Sequence, residues 1–346
     1  MKIAIYGAGS LGTIIGAYLT KAYGKDHVDL IADNPQHIKD LNEKGATVTG
    51  TANFTVPVSA KTPDKLKLNE YDLVLLLTKQ THNDEVLPKV KEVLKPDGTL
   101  VSLQNGVPEI AVSKVIDPKN IVAGSVEFGG TQLNHNESEL TTAQPAFENA
   151  AFQIGELDGK GTDRIKQVQA VLNHVGGTAV SDNLLGTKWS KLLVNSSFSG
   201  LSAASDATFG QIADSEIGLR AALNIVNEGL KVGHADGVKF AKMGNHDLSS
   251  LSMDHRNDES GQLAYLRSAM ANSKDLKASM LQDLEKGHKT EVNDINGVIA
   301  DTGKKYGIKT PFNDLIIKIV SNAQDTGKLP QFDDTMTQFQ KLLDNK

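Results

Sequence analysis

Two periodicities divide the chain. Over residues 1 to about 180, short runs rich in β-branched residues and leucine ("KIAIYG", "VDLIAD", "DLVLLLT", "TLVSLQNG", "NIVAGSV", "AFQIGEL") alternate with helical patterns. Continuous apolar runs separated by helices are the signature of strands buried on both faces, so this half is expected to be a doubly wound, parallel α/β sheet. Beyond about 183 the spacing becomes helical in "SEIGLRAALNIVNEGLKVGHADG", "SKDLKASMLQDLEKG", "EVNDINGVIADTGKKYG" and "TPFNDLIIKIVSNAQDTG". The last of these opens with Thr310 as N-cap and Pro311 at the first helical position. The pattern therefore predicts a sheet domain over 1–182 and an all-α domain over 183–346, divided at the polar "SDN" of 181–183 after a last strand "GGTAV". The polar, weakly periodic stretch at 242–260 reads as an excursion or flexible loop.

Composition narrows the chemistry. The 346 residues carry a net charge of -6 with no concentrated Lys/Arg block, which argues against a nucleic-acid partner and for a small molecule. There is no cysteine, which removes disulfides, thiolate metal sites and cysteine nucleophiles together. The nine histidines never fall at a paired ligand spacing, so no metal is expected. The chain enters a strand at once, without the pattern of a signal peptide, and "LVLLL" at 73–77 is far short of the roughly 20 residues of a membrane helix. A cytoplasmic protein without membrane contact is expected.

Residues 7–12, "GAGSLG", form a G-x-G-x-x-G run between a strand and the apolar helix "TIIGAYLTKAYG". In that context Gly7 serves a tight turn, Gly9 the close approach of a pyrophosphate, and Gly12 the packing of helix on strand, while the backbone N–H groups of the Ala8, Ser10 and Leu11 region receive phosphate. This is the dinucleotide fingerprint of a Rossmann domain. Asp33, 21 residues past Gly12, ends the second apolar run where a carboxylate binds the ribose 2′-hydroxyl. A carboxylate there repels a 2′-phosphate, which favours NAD over NADP, although Asp29 and Asn34 leave the register open and Lys39 is within reach.

In "TKWSKLLVNSSFSG" (187–200), Lys191, Asn195 and Ser199 recur every fourth residue and share one face of an otherwise apolar helix. Such a stripe is either a snorkelling surface lysine above polar neighbours or a constellation aimed into a cleft. Thr78 and Lys79 follow one strand and Gln104, Asn105 and Gly106 the next, so the rim that carries the glycine-rich loop also gathers polar groups.

The order GAGSLG, TK, QNG, K-x3-N, SMLQD and TE-x4-NG spans nearly the whole chain and resembles the ketopantoate reductase family. The resemblance implies a Rossmann domain, a helical domain similar to that of 6-phosphogluconate dehydrogenases, and reduction of a 2-keto acid to its D-2-hydroxy acid by a nicotinamide. It assigns Lys191 as the catalytic lysine that polarises the keto oxygen and supplies a proton, with Glu291 as its acidic partner and a cofactor contact. It places Asn105, Asn195, Ser199 and Ser279 on the substrate, and Thr78, Lys79 and Asn105 near the nicotinamide ribose. Where the family usually shows a second asparagine, this chain has Ser199. That departure, with Asp33 and the 242–260 segment, looks like the NAD-dependent D-2-hydroxyacid dehydrogenases of the D-mandelate or D-2-hydroxyisovalerate type, which take branched or aromatic 2-keto acids. The alternatives are ketopantoate reductase proper and a non-catalytic nicotinamide sensor; a homodimer is the expected assembly. His82 and His288 read as surface residues.

Overall fold

The structure, a computed structural model, describes residues 1–242, 247–252 and 258–345. It divides into two compact units, Met1–Leu184 and Leu185–Lys346. The division falls two residues past the expected boundary because Leu184 packs on the sheet: a Cβ at Gly155 would lie 2.9 Å from Leu184 Cβ.

In the first unit β1 (Ile3–Tyr6), β2 (Val28–Ile31), β5 (Ser59–Lys61), β6 (Tyr71–Leu76), β7 (Leu94–Ser102), β8 (Ile121–Val126), β11 (Phe152–Glu156) and β12 (Thr178–Val180) form one sheet. Its order is β12-β11-β8-β7-β6-β1-β2-β5. Side chains alternate across it, as the pleat requires. Ile3, Ile5, Leu30, Leu73 and Leu75 enter one apolar layer with α1 (Ser10–Tyr23), α2 (Pro35–Lys44) and α6 (Asp163–Leu172). Ala4, Tyr6, Ile31, Val74 and Leu76 enter the other, with α3 (Asn83–Val93) and the single turn α4 (Glu109–Val112).

The sheet is not wholly parallel, as the apolar runs alone predict: β11 runs antiparallel to β8. The chain between them is used up in a second sheet and the short helix α5 (Gln144–Ala150), and returns beside β8 without a crossover helix, so the opposite direction is the one available. The second sheet joins β3 (Ala46–Gly50), β4 (Phe54–Val56), β9 (Gly130–Asn134) and β10 (Glu137–Leu140) in the order β4-β3-β10-β9 and packs on α1.

The second unit opens with α7 (Leu184–Val194), a π turn (Asn195–Ser199), α8 (Gly200–Ser205) and α9 (Phe209–Asp214). The 20-residue α10 (Glu216–Ala235) is its axis, mostly buried, and touches α9, α11 (Glu259–Ala269), α13 (Val292–Tyr306), α14 (Pro311–Thr326) and α15 (Phe332–Asp344). The helix predicted over "SKDLKASMLQDLEKG" shrinks to α12 (Ser279–Glu285). Residues 274–278 instead lend the Lys274 and Leu276 carbonyls to Gly210 and Phe209 N–H at the start of α9, which an α-helix there would not permit. Of the 242–260 segment, 243–246 and 253–257 lie outside the described residues. Its centre departs from the predicted flexible loop, since Leu248 and Leu251 are buried and the Leu251 carbonyl accepts from Asn227 Nδ2 at 2.9 Å. Thr310 occupies the N-cap position of α14, but its side chain makes no capping hydrogen bond there.

Candidate functional site

The glycine-rich turn between β1 and α1 packs tightly at two glycines and is open at the third. Gly7 has φ +108, and a Cβ there would sit 2.6 Å from Thr78 N, so the loop lies directly on the chain leaving β6. A Cβ on Gly12 would collide with Gly7 O, so only glycine lets α1 start this close to β1. Gly9 is different. Its φ of -72 suits any residue, and a Cβ there would meet nothing within 4 Å. Packing does not demand glycine at that position, whereas a ligand approaching the backbone does. Above it the 14-residue α1 begins without a side-chain cap or first-turn acid, leaving its N–H groups directed at the same space. Glycine at an open position and an uncapped helix start together fit a dinucleotide pyrophosphate.

A histidine that motif reading passes over holds this turn. His37 in α2 is buried, with Nε2 2.6 Å from Ala8 O, which also accepts from Thr13 Oγ1 at 3.1 Å. Burial pushes its imidazole pKa below its ordinary value, against the opposing pull of the Ala8 and His135 backbone. A carbonyl only accepts, so Nε2 carries a proton and donates to it, while Nδ1 lies 3.3 Å from Gln132 Nε2. The sequence signals it only by its place in the first turn of the amphipathic helix that follows the fingerprint unit.

At the end of β2 the register is settled. The strand stops at Ile31, and Asp33 is exposed in the turn before α2, where Asn34 rather than Asp33 caps the helix by accepting from Gln36 and His37 N–H. Asp29 is fully buried and committed elsewhere: burial raises its carboxyl, but bonds from Lys2, Ser59, Lys61 and Tyr71 outweigh that and hold it below its ordinary value. Of the two aspartates only Asp33 is exposed.

The turns after β6 and β7 are tied together by buried amides. Gln104 Nε2 donates to Thr78 O at 2.8 Å and to Asn83 Oδ1 at 2.7 Å, and Gln80 Nε2 donates to Asn105 O at 2.7 Å. These bonds set half-buried Thr78 and Lys79 beside exposed Asn105, at the same strand ends as the glycine-rich turn. Gly106, at φ +71, lets the chain turn away at once.

The second unit assembles the other predicted residues. Between 189 and 200 only Lys191, Val194, Asn195 and Ser199 are half-buried, and the rest are buried, so the polar stripe is a real face. The helix is not uniformly α. On a 3.6-residue turn each i,i+4 step overshoots by about 40°, and the wider turn at 195–199 takes that drift back before Ser199. Ser197 Oγ, at 2.6 Å, and Ser196 Oγ, at 3.2 Å, cover the Leu193 carbonyl there. Both α12 and α13 pack on this turn. Ser279 is the exposed first residue of α12, whose start is fixed by Ala278 N donating to Ser202 Oγ at 3.2 Å. Glu291 is buried at the N-cap position of α13, next to Thr290, whose N–H donates to Gln324 Oε1 at 2.8 Å. The unit thus brings Lys191, Asn195, Ser199, Ser279 and Glu291 onto elements that share one turn. In the first unit Gly7 to Gly12, Asp33, Thr78, Lys79 and Asn105 follow the ends of β1, β2, β6 and β7, four neighbouring strands of one sheet. His82 and His288 are exposed.

Two family models match the chain: ketopantoate reductase PanE/ApbA over residues 3–158, and ketopantoate reductase PanE/ApbA C terminal over residues 183–324. Among curated proteins, the 2-dehydropantoate 2-reductase of Pyrococcus horikoshii is 28% identical over 328 residues, covering 94% of this chain and 99% of its own length. A solved D-mandelate dehydrogenase, in ternary complex with NADH and anilino(oxo)acetate, is similar at a TM-score of 0.79 and 23% identity over 95% of this chain and 100% of that one. A PanE/ApbA family ketopantoate reductase from Ralstonia eutropha JMP134 is similar at 0.79 and 24%, with the same coverage. At such identities the solved structures establish the shared fold.

Proposed function

Because this chain belongs to the ketopantoate reductase PanE/ApbA family, we propose that it is an oxidoreductase that reduces a 2-keto acid to the D-2-hydroxy acid with NADH. The observation that carries the reading is the polar face of Lys191, Asn195 and Ser199, straightened by a π turn on which the elements bearing Ser279 and Glu291 also pack. NADH, when bound, supplies the hydride. The Lys191 ammonium donates a hydrogen bond to the keto oxygen, stabilises the negative charge that develops there, and gives up a proton to complete the alcohol. Glu291 balances the lysine's charge, and the hydroxyl and amide groups of Ser279, Ser199 and Asn195 orient the substrate. Exposed Asp33, with no Arg or Lys between residues 26 and 38, supports NADH over NADPH.

Two substrate classes fit this site. Ketopantoate is supported by relatives that align over nearly the whole chain and are 2-dehydropantoate 2-reductases. A 2-keto acid with a bulky branched or aromatic group is supported by Ser199, whose short hydroxyl reaches less far than an asparagine amide and relaxes the demand for a hydroxylated substrate. Purified protein is assayed with NADH and NADPH against ketopantoate, phenylglyoxylate, 2-ketoisovalerate, 2-ketoisocaproate and pyruvate. Highest kcat/KM on ketopantoate selects the first substrate, and highest kcat/KM on phenylglyoxylate or a branched keto acid selects the second. No turnover with any of them sinks the enzyme reading and leaves a nicotinamide sensor.

A further inference from the structure

A buried polar cluster of the second unit runs through α10, α13 and α14 to the π turn. Asn296 in α13 is fully buried; its Nδ2 donates to Ser196 O in the π turn at 2.9 Å and to Asn313 Oδ1 in α14 at 2.9 Å. Asn313, also fully buried, donates from Nδ2 to Glu228 Oε2 of α10 at 2.7 Å. The same carboxyl accepts from Phe312 N at 2.9 Å and Asn313 N at 3.0 Å. One run of hydrogen bonds therefore links α10, the start of α14, and α13 to the single wide turn of the Lys191 helix.

The bond to Ser196 O answers a specific need. In an α-helix that carbonyl would accept from Gly200 N–H, but here Gly200 N–H donates to Asn195 O and Ser197 O. Asn296 takes the place of that helical donor. Gly200 itself is shaped to it, since a Cβ there would lie 3.2 Å from Asn296 Oδ1 and 3.3 Å from Nδ2. Stability alone does not account for the residue. Among the described residues Asn296 Oδ1 has no hydrogen-bond partner, a cost that an apolar side chain on a regular α-helix would avoid.

We propose that Asn296, held in place by Asn313 and Glu228, is a positioning residue for the keto-acid site: by serving Ser196 O it keeps the π turn open and so fixes Asn195 and Ser199 on the Lys191 side of the helix. Without it the turn tightens, and a one-residue change of register turns a helix face by roughly 100°. The inference rests on the reading that this face binds the keto acid, and the experiment separates the two.

Full-length parent, Asn296→Leu and Gly200→Ala proteins are compared by steady-state kinetics at saturating NADH and then at saturating keto acid, with thermal melts alongside. For Asn296→Leu, KM for the best keto acid rises about tenfold or more while KM for NADH stays within about twofold. Gly200→Ala adds a Cβ 3.2 Å from both Asn296 Oδ1 and Ile316 Cγ2, so its keto-acid KM rises about threefold while its KM for NADH stays within about twofold. A folded Asn296→Leu with the parent's keto-acid KM overturns the inference; where that variant does not fold, an unchanged keto-acid KM in Gly200→Ala overturns it instead. Equal rises in both KM values also overturn it, since they mark general disruption. A parent that turns over no keto acid overturns the functional reading and the inference together.

Discussion

The Glu228 carboxyl makes a prediction that needs no substrate. It is 9% exposed and receives three N–H bonds at the start of α14, doing the capping that the Thr310 side chain does not. Burial pushes its pKa up and nearby Asp314 adds to this; the three donors pull it down, and the outcome is about 7 against an ordinary 4.5. The folded chain thus keeps its proton up to about pH 7, while the unfolded chain releases it from 4.5 upward. The stabilisation from this group is complete below 4.5 and is lost as pH rises through 7. Between pH 5 and 8 that linkage amounts to roughly 2–3 kcal/mol at 1.36 kcal/mol per pKa unit. Glu228→Gln removes the titration. Its amide can still accept on one oxygen but turns a second donor toward the α14 N–H groups, which costs about 1–3 kcal/mol where the parent carboxyl is protonated. Urea unfolding of parent and variant at pH 5 and 8 measures both effects. The parent is more stable at pH 5, and its advantage shrinks or reverses at pH 8. Parallel pH dependences in the two proteins would refute the assignment of the titration to Glu228.

Three further outcomes test the site. Gly9→Ala keeps the parent's melting temperature, because nothing stands near the new Cβ, yet weakens NADH binding by about tenfold, roughly 1.4 kcal/mol; Gly7→Ala destabilises the fold by about 1–3 kcal/mol or more, because its φ and the Thr78 backbone both forbid a side chain. Calorimetry and NADH titration read the contrast, and equal melting losses in the two variants would count against a ligand explanation for Gly9. Lys191→Ala lowers kcat by about 10²–10⁴ with NADH affinity near the parent's, and retained turnover refutes its role. Asp33→Arg shifts the ratio of kcat/KM for NADPH over NADH upward by at least about tenfold, and an unchanged ratio counts against the ribose contact.

Much of this was legible in the residues because it depends on local pattern. The fingerprint at Gly7 to Gly12, the apolar runs of β1, β6 and β7, and the helical spacing of α10, α13 and α14 are each set within a few turns of chain. What depended on distant partners was hidden. The direction of β11 follows from where 25 intervening residues go, and β9 carries almost no buried side chain to announce it. Thr310 has the right residue type for a cap, but the carboxyl of Glu228, 82 positions earlier, does the work. The spacing of Lys191, Asn195 and Ser199 is the same on an α-helix as on one containing a π turn. Only Asn296, about a hundred residues downstream, distinguishes them.

The second sheet has a consequence for how this protein can change. With β3, β4, β9 and β10 laid over α1 and the large sheet beneath it, the helix proposed to meet the phosphates is gripped from two sides, and His37 fastens its turn from a third. The turn proposed to meet the ribose, Asp33 to Gln36, is exposed, and within it Asn34 rather than Asp33 caps α2. Asp33 itself carries none of the capping bonds of α2. On the proposed reading, coenzyme preference can be altered at exposed Asp33 without touching the buried contacts that hold α1.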